Sequence, residues 1–69
     1  MKVIAEVAGK VWKIEAQPGA QLHPDDTILV LESMKMEIPV VAPKAGTLVS
    51  IRVREGDAVA EGEWIADLD

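Results

Sequence analysis

The chain contains no cysteine, which excludes a disulfide framework and any cysteine-based metal site. His23 is the only histidine, so a histidine-rich metal site is excluded as well. Phe and Tyr are absent and Trp occurs twice, so the 49% hydrophobic content must build an aliphatic core of Val, Ile, Leu and Ala. Basic residues are few: 7 Lys and Arg stand against 12 Asp and Glu, for a net charge of −5 and a pI near 4.7. That balance argues against nucleic acid, whose phosphates demand Lys and Arg, and against an anionic membrane surface. Its ordinary consequence is solubility. No hydrophobic run approaches the ~20 residues of a membrane span. No secretory signal pattern opens the chain, so the cytosol is the expected location.

What is present fits one small domain spanning residues 1–69. A chain of this size buries only about 60% of its unfolded surface, so its apolar residues must be used economically. Shifting the sequence by 37 positions reveals an internal repeat. Ala8-Gly9 falls on Ala45-Gly46, Ile14 on Ile51, Gly19 on Gly56, Ile28 on Ile65 and Leu31 on Leu68. Six identities in 25 aligned positions are modest, but glycines meet glycines and strand hydrophobics meet strand hydrophobics.

Both halves read as strands. Val49, Ile51 and Val53 alternate with Ser50, Arg52 and Arg54, which predicts a strand with one wet face. Trp12, Ile14 and Ala16 repeat the pattern against Lys13, Glu15 and Gln17. Trp12 and Trp64 are expected to be packing residues, and His23 a loop residue. Pro18-Gly19 and Glu55-Gly56-Asp57 are turn signals that end these strands. Gly62 marks a further turn, whose counterpart Asp25 also tolerates a left-handed backbone. Ile28–Leu31 and Trp64–Leu68 read as closing strands, the first apolar at every position. No segment sustains a helical period. Short strands with repeated turn signals predict a small all-β sandwich or barrel in which each half completes the core of the other.

Between the halves stands Glu32-Ser33-Met34-Lys35-Met36-Glu37. If Glu32 ends one strand and Glu37 begins the next, Lys35 occupies a tight hairpin, projecting from the body on a steady backbone. Pro39 and Pro43 flank the following strand and suit a sheet edge. Strand alternation predicts Met34 and Met36 on one side, opposite Lys35. A lone lysine is ordinarily a solvated charge, methionines are ordinarily core filler, and Glu32 and Glu37 are also consistent with strand-end charges. Two thioethers bracketing an amine at a repeat junction instead suggest a presentation device, with the carboxylates serving recognition. An exposed lysine titrates near 10.4, so only about 0.1% is neutral at physiological pH. The carboxylates favour the charged amine, and no histidine lies near the motif. The expected role is that of an acylation substrate and carrier, with no catalytic residue and no metal site.

These residues resemble the biotinyl/lipoyl attachment domain family, specifically its biotinyl branch, over nearly the whole chain. Glu32-Ser33-Met34-Lys35-Met36-Glu37 is similar to the biotin acceptor motif, whose core is Met-Lys-Met. The Ala8-Gly9 and Ala45-Gly46 turns, and Glu55-Gly56-Asp57-Ala58-Val59, also resemble family positions. The resemblance implies a flattened barrel of two four-stranded antiparallel sheets with pseudo-twofold symmetry and Lys35 at an exposed hairpin. It implies covalent biotin on Lys35, attached by a biotin protein ligase through biotinyl-adenylate. Met34, Met36, Glu32, Ser33 and Glu37 would then serve recognition by the ligase and other partners. It further implies shuttling of a carboxyl group between a biotin carboxylase and a carboxyltransferase, and the expected state is a monomeric domain. Ser33 stands where many biotinyl domains have Ala, and Val7-Ala8-Gly9 replaces the commoner Met-Pro-Gly. The stretch from Ile14 to Leu22 matches that from Ile51 to Val59 without extra residues. The protruding insertion of the bacterial acetyl-CoA carboxylase carrier subunit is therefore absent, and the chain resembles a minimal single-domain form. Two alternatives remain open. One is a lipoyl, or dual biotin/lipoyl, acyl carrier, although lipoyl domains typically flank the lysine with Asp and a small residue. The other is an unmodified interaction module, although such modules commonly lack the acceptor motif.

Overall fold

The computed structural model describes all residues, 1–69, and is entirely β. Eight strands follow in order: β1 Lys2–Ile4, β2 Gly9–Ile14, β3 Gln21–Leu22, β4 Thr27–Ser33, β5 Met36–Val41, β6 Gly46–Ile51, β7 Ala58–Val59 and β8 Trp64–Leu68. They form two four-stranded sheets, ordered β1-β8-β6-β3 and β5-β4-β2-β7, with every pairing antiparallel. Gly9, Gln21 and Thr27 open β2, β3 and β4; Gly46, Ala58 and Trp64, each 37 positions later, open β6, β7 and β8. The repeat is thus structural. Each sheet takes its two central strands from one half and its two edge strands from the other, so neither half closes a core alone.

The core is aliphatic, as the composition predicts. All 16 buried residues are hydrophobic, and Ile28, Leu29, Leu31, Leu48, Ile65 and Leu68 are fully enclosed. A fully buried Val, Leu or Ile contributes about 1.5–3 kcal/mol. These side chains are therefore the main source of stability in a domain without staples.

Four turns share one construction. Gln17-Pro18-Gly19-Ala20, His23-Pro24-Asp25-Asp26, Arg54-Glu55-Gly56-Asp57 and Ala60-Glu61-Gly62-Glu63 each close with the fourth N–H donating to the first carbonyl, at 3.0–3.1 Å. The third residue is left-handed in every case, with φ of 95° at Gly19, 72° at Asp25, 95° at Gly56 and 85° at Gly62. This is the type II pattern, and it confirms the expectation for Asp25. Two repeat-related carboxylates add the same brace: Asp26 accepts from the His23 N–H at 2.8 Å, and Glu63 from the Ala60 N–H at 2.9 Å.

Three expectations are corrected. First, the alternation fails at Trp12 and Val49, which are 50% and 56% exposed, while Val11 and Leu48 are buried. The register shifts between Val11 and Lys13 and, at the equivalent place, between Leu48 and Ser50. Each shift inserts one unpaired residue and reverses the side-chain phase. Trp12 is therefore not a core packing residue. Trp64 is half-buried on the outer face, with Lys2 Nζ 4.4 Å and the Arg52 guanidinium carbon 3.9 Å from its ring centroid. Second, Gly9 and Gly46 open strands rather than forming turns. A Cβ on Gly9 would stand 2.8 Å from the Glu32 carbonyl oxygen, and one on Gly46 closer still to that of Asp69. Close backbone approach demands glycine here. Third, Pro39 lies within β5 instead of flanking it, paired with Val30. β5 is an edge strand, where the missing N–H is tolerated.

Candidate functional site

β4 and β5 are the only consecutive strands that pair with one another, and they form a hairpin. Its ladder runs from Thr27↔Val41 through Leu31↔Ile38 and Glu32↔Glu37 to Ser33↔Met36. The β-branched and aliphatic run Thr27-Ile28-Leu29-Val30-Leu31 suits a strand, and the burial of Ile28, Leu29 and Leu31 anchors it in the core. Two residues remain for the connection, Met34 and Lys35, and both are left-handed, with φ of 52° and 66°. That is a type I′ turn, whose twist matches the flanking strands. It normally favours Asn and Gly, so two side-chain-bearing residues here carry backbone strain.

The turn presents Lys35 to solvent. The ion pairs of the protein are Lys13–Glu15, His23–Asp26 and Arg52–Asp67, and Lys35 joins none of them. Met34 is 92% exposed and Met36 63%, which rules out a core-filling role for either. The expectation that both methionines alternate opposite Lys35 does not carry over. Met34 belongs to the turn, through which strand alternation does not run.

Beneath the turn the structure brings together most of the motif. Ser33 is half-buried at the last ladder pair, while Glu32 and Glu37 are exposed and directly opposite one another. Lys10 on β2 is the cross-strand neighbour of Glu32 on the other side. Gly9 brings the start of β2 against the hairpin base, where an added Cβ would lie 3.5 Å from the Ser33 Cβ. Gly9 and Lys10 are thus part of the site's support. Sequence reading marked Gly9 only as a turn signal and had no signal for Lys10. His23 lies in the turn preceding the other end of β4, a strand that spans roughly 20 Å at the usual rise. The hairpin therefore holds one free amine, an apolar pair and a carboxylate pair. This array can offer an amine to an incoming enzyme.

The comparisons with known proteins agree. The family described as "Biotin-requiring enzyme" matches residues 1–68. The biotin/lipoyl attachment protein of Bacillus subtilis is 40% identical over 99% of this chain and 93% of its own length. The biotinylated protein TB7.3 homolog of Mycobacterium leprae is 41% identical over 93% and 90%. The crystal structure of the Kluyveromyces lactis urea carboxylase superposes with a TM-score of 0.96 at 30% identity, covering all of this chain and 6% of that one. The domain is accordingly an attachment module and not itself a catalyst. Fold, hairpin and relatives together place this chain in the biotin/lipoyl attachment domain family.

Proposed function

We propose that this domain is a biotin carboxyl carrier and that Lys35 is its attachment residue. The observation that carries the reading is the position of Lys35, an unpaired amine on a type I′ turn between two exposed methionines. An exposed primary amine on a backbone held by the β4–β5 ladder fits a group joined through an amide. Lys35 Nζ must first lose the proton of its ammonium form, exposing a lone pair. On bonding to an activated acyl carbon it loses a second proton and the activating group departs. A biotin protein ligase supplies the base and the activated acyl group. Formal net charge then moves from −5 to −6, because one cation becomes a neutral amide.

Biotin, once attached, supplies a ureido nitrogen that carries a carboxyl group. The chain's own part is positional. The hairpin keeps Lys35 at a fixed distance from the body, so a tethered group meets the biotin carboxylase and the carboxyltransferase at high effective concentration. Met34 and Met36 offer an apolar contact to the ligase, Glu32 and Glu37 an acidic one, and Ser33 holds the last ladder pair. The whole chain, 1–69, acts as one domain. This reading takes it to be monomeric and cytosolic, which sedimentation and fractionation would test.

A lipoyl carrier is the second reading, favoured by the Bacillus subtilis relative, which is named for both groups. Intact mass after co-expression with a biotin ligase, with peptide mapping, distinguishes the two. One biotinyl group on Lys35 supports the proposal, and a lipoyl group moves the domain to acyl transfer. A folded, unmodified domain favours an interaction module.

A further inference from the structure

The two sheets leave an apolar groove between their edge strands β1 and β5, with a cavity volume of about 310 Å³. Val3, Leu31 and Val40 are among its buried lining residues. Ile38 and Val7, both half-buried, also line it, together with the exposed carboxylate of Glu6. Ile38 and Val7 lie toward the hairpin, and Glu6 directly precedes Val7 in the β1–β2 connection. Ile38 pairs with Leu31, two ladder positions below Ser33↔Met36, and Val7 is two residues before Gly9, which abuts Glu32 and Ser33. Glu6 belongs to none of the protein's ion pairs.

We propose that this groove is an intramolecular resting site for the group carried on Lys35, its apolar arm lying against Val7 and Ile38 and its ureido N–H groups donating to Glu6. The inference rests on the biotin reading given above. Three observations favour this occupant. The first is reach: Lys35 to Ile38 is three residues, at most about 11 Å of chain, and the lysine stem plus an acyl arm of about ten single bonds extends roughly 12 Å. The second is size, because about 310 Å³ lies at the lower end of small-molecule pockets, roughly 300–1,000 Å³. The third is chemistry: the groove is mainly apolar with the Glu6 carboxylate in its lining, as an aliphatic arm ending in two N–H donors requires. Docking of this kind is reversible and keeps the ring against the body between encounters.

The test uses the full chain biotinylated on Lys35, with attachment first established by intact mass. Absence of the group overturns the biotin reading, and this inference with it. With the group attached, amide and methyl NMR shifts are compared between unmodified and biotinylated protein. The rate of capture by streptavidin is then measured for the parent domain, Glu6→Ala and Ile4→Asp, the exposed Ile4 side chain also lining the groove. Docking predicts shift changes at Val7, Ile38 and Glu6 as well as at the turn. A group docked two-thirds of the time is captured about threefold more slowly than an undocked one, and both variants should recover that factor. Shift changes confined to Met34–Met36, with equal capture rates for parent and variants, would overturn the resting site and leave the carrier function standing.

Discussion

Glu32 and Glu37 face each other directly across the β4–β5 hairpin, one ladder pair beneath the turn that carries Lys35. Directly opposed like charges destabilise a sheet. No ion pair compensates either carboxylate, although Lys10 stands beside Glu32. This unfavourable pairing supports the proposal that the two carboxylates meet a partner.

The carboxylates should therefore trade stability for recognition. Glu37→Gln is expected to raise the denaturation midpoint slightly, by less than about 1 kcal/mol, and the gain should shrink at high salt. Glu32→Gln should gain less, because it also gives up the longer-range attraction of its cross-strand neighbour Lys10. Both should slow attachment by the ligase. Attachment kinetics equal to those of the parent domain would remove the recognition role.

Lys35 separates display from folding. Lys35→Ala should abolish modification while changing stability by no more than about 0.5 kcal/mol, as exposed substitutions usually do. Lys35→Gly should also abolish modification, yet stabilise the domain by about 0.5–1 kcal/mol, because glycine relieves the left-handed strain at φ 66°. Thermal melts of the two variants test the type I′ turn, and an equal or lower midpoint for Lys35→Gly would contradict it.

For the methionines, exposure predicts a functional phenotype without a structural one. Met34→Thr and Met36→Leu should leave the melting midpoint nearly unchanged, since neither side chain is in the core. Slower attachment is expected for both, measured as the rate of mass gain with purified ligase.

The repeated type II turns offer stabilising changes far from the hairpin. Asp25→Gly places the preferred residue at φ 72° and should add about 0.5–1 kcal/mol. Glu61 occupies the position where two sister turns carry Pro18 and Pro24, and its N–H makes no hydrogen bond. Glu61→Pro should add about 0.4–1 kcal/mol by restricting the unfolded chain. A lowered unfolding midpoint in either variant would show that the turns are built otherwise.

Gly9 tests the link between fold and site. Gly9→Ala would push a methyl group to 2.8 Å from the Glu32 carbonyl oxygen, at the base of the hairpin. Overpacking of this kind costs about 1–3 kcal/mol. Attachment at Lys35 should slow as well, because Glu32 and Ser33 must shift. Normal stability and normal attachment in Gly9→Ala would remove Gly9 from the site's support.

Much of this protein is written in local sequence. The left-handed turn at Asp25, the strand class and the hairpin at Lys35 all follow from residues within a few positions of one another, and the period of 37 follows from matching such local patterns along the chain. Turn chemistry and short-range patterning are local properties, and a single sequence carries them. Other features required the assembled sheets. The exposure of Trp12 and Val49 depends on register shifts against β4 and β8, and a one-residue slip reverses every side chain that follows. The requirement for glycine at positions 9 and 46 comes from carbonyls of Glu32 and Asp69, each 23 residues away in sequence. The exchange of edge strands between halves, and the groove it leaves between β1 and β5, exist only when both halves have packed. Local conformation was thus determined by the sequence itself, whereas burial, register and close approach were decided by which distant strand became the neighbour.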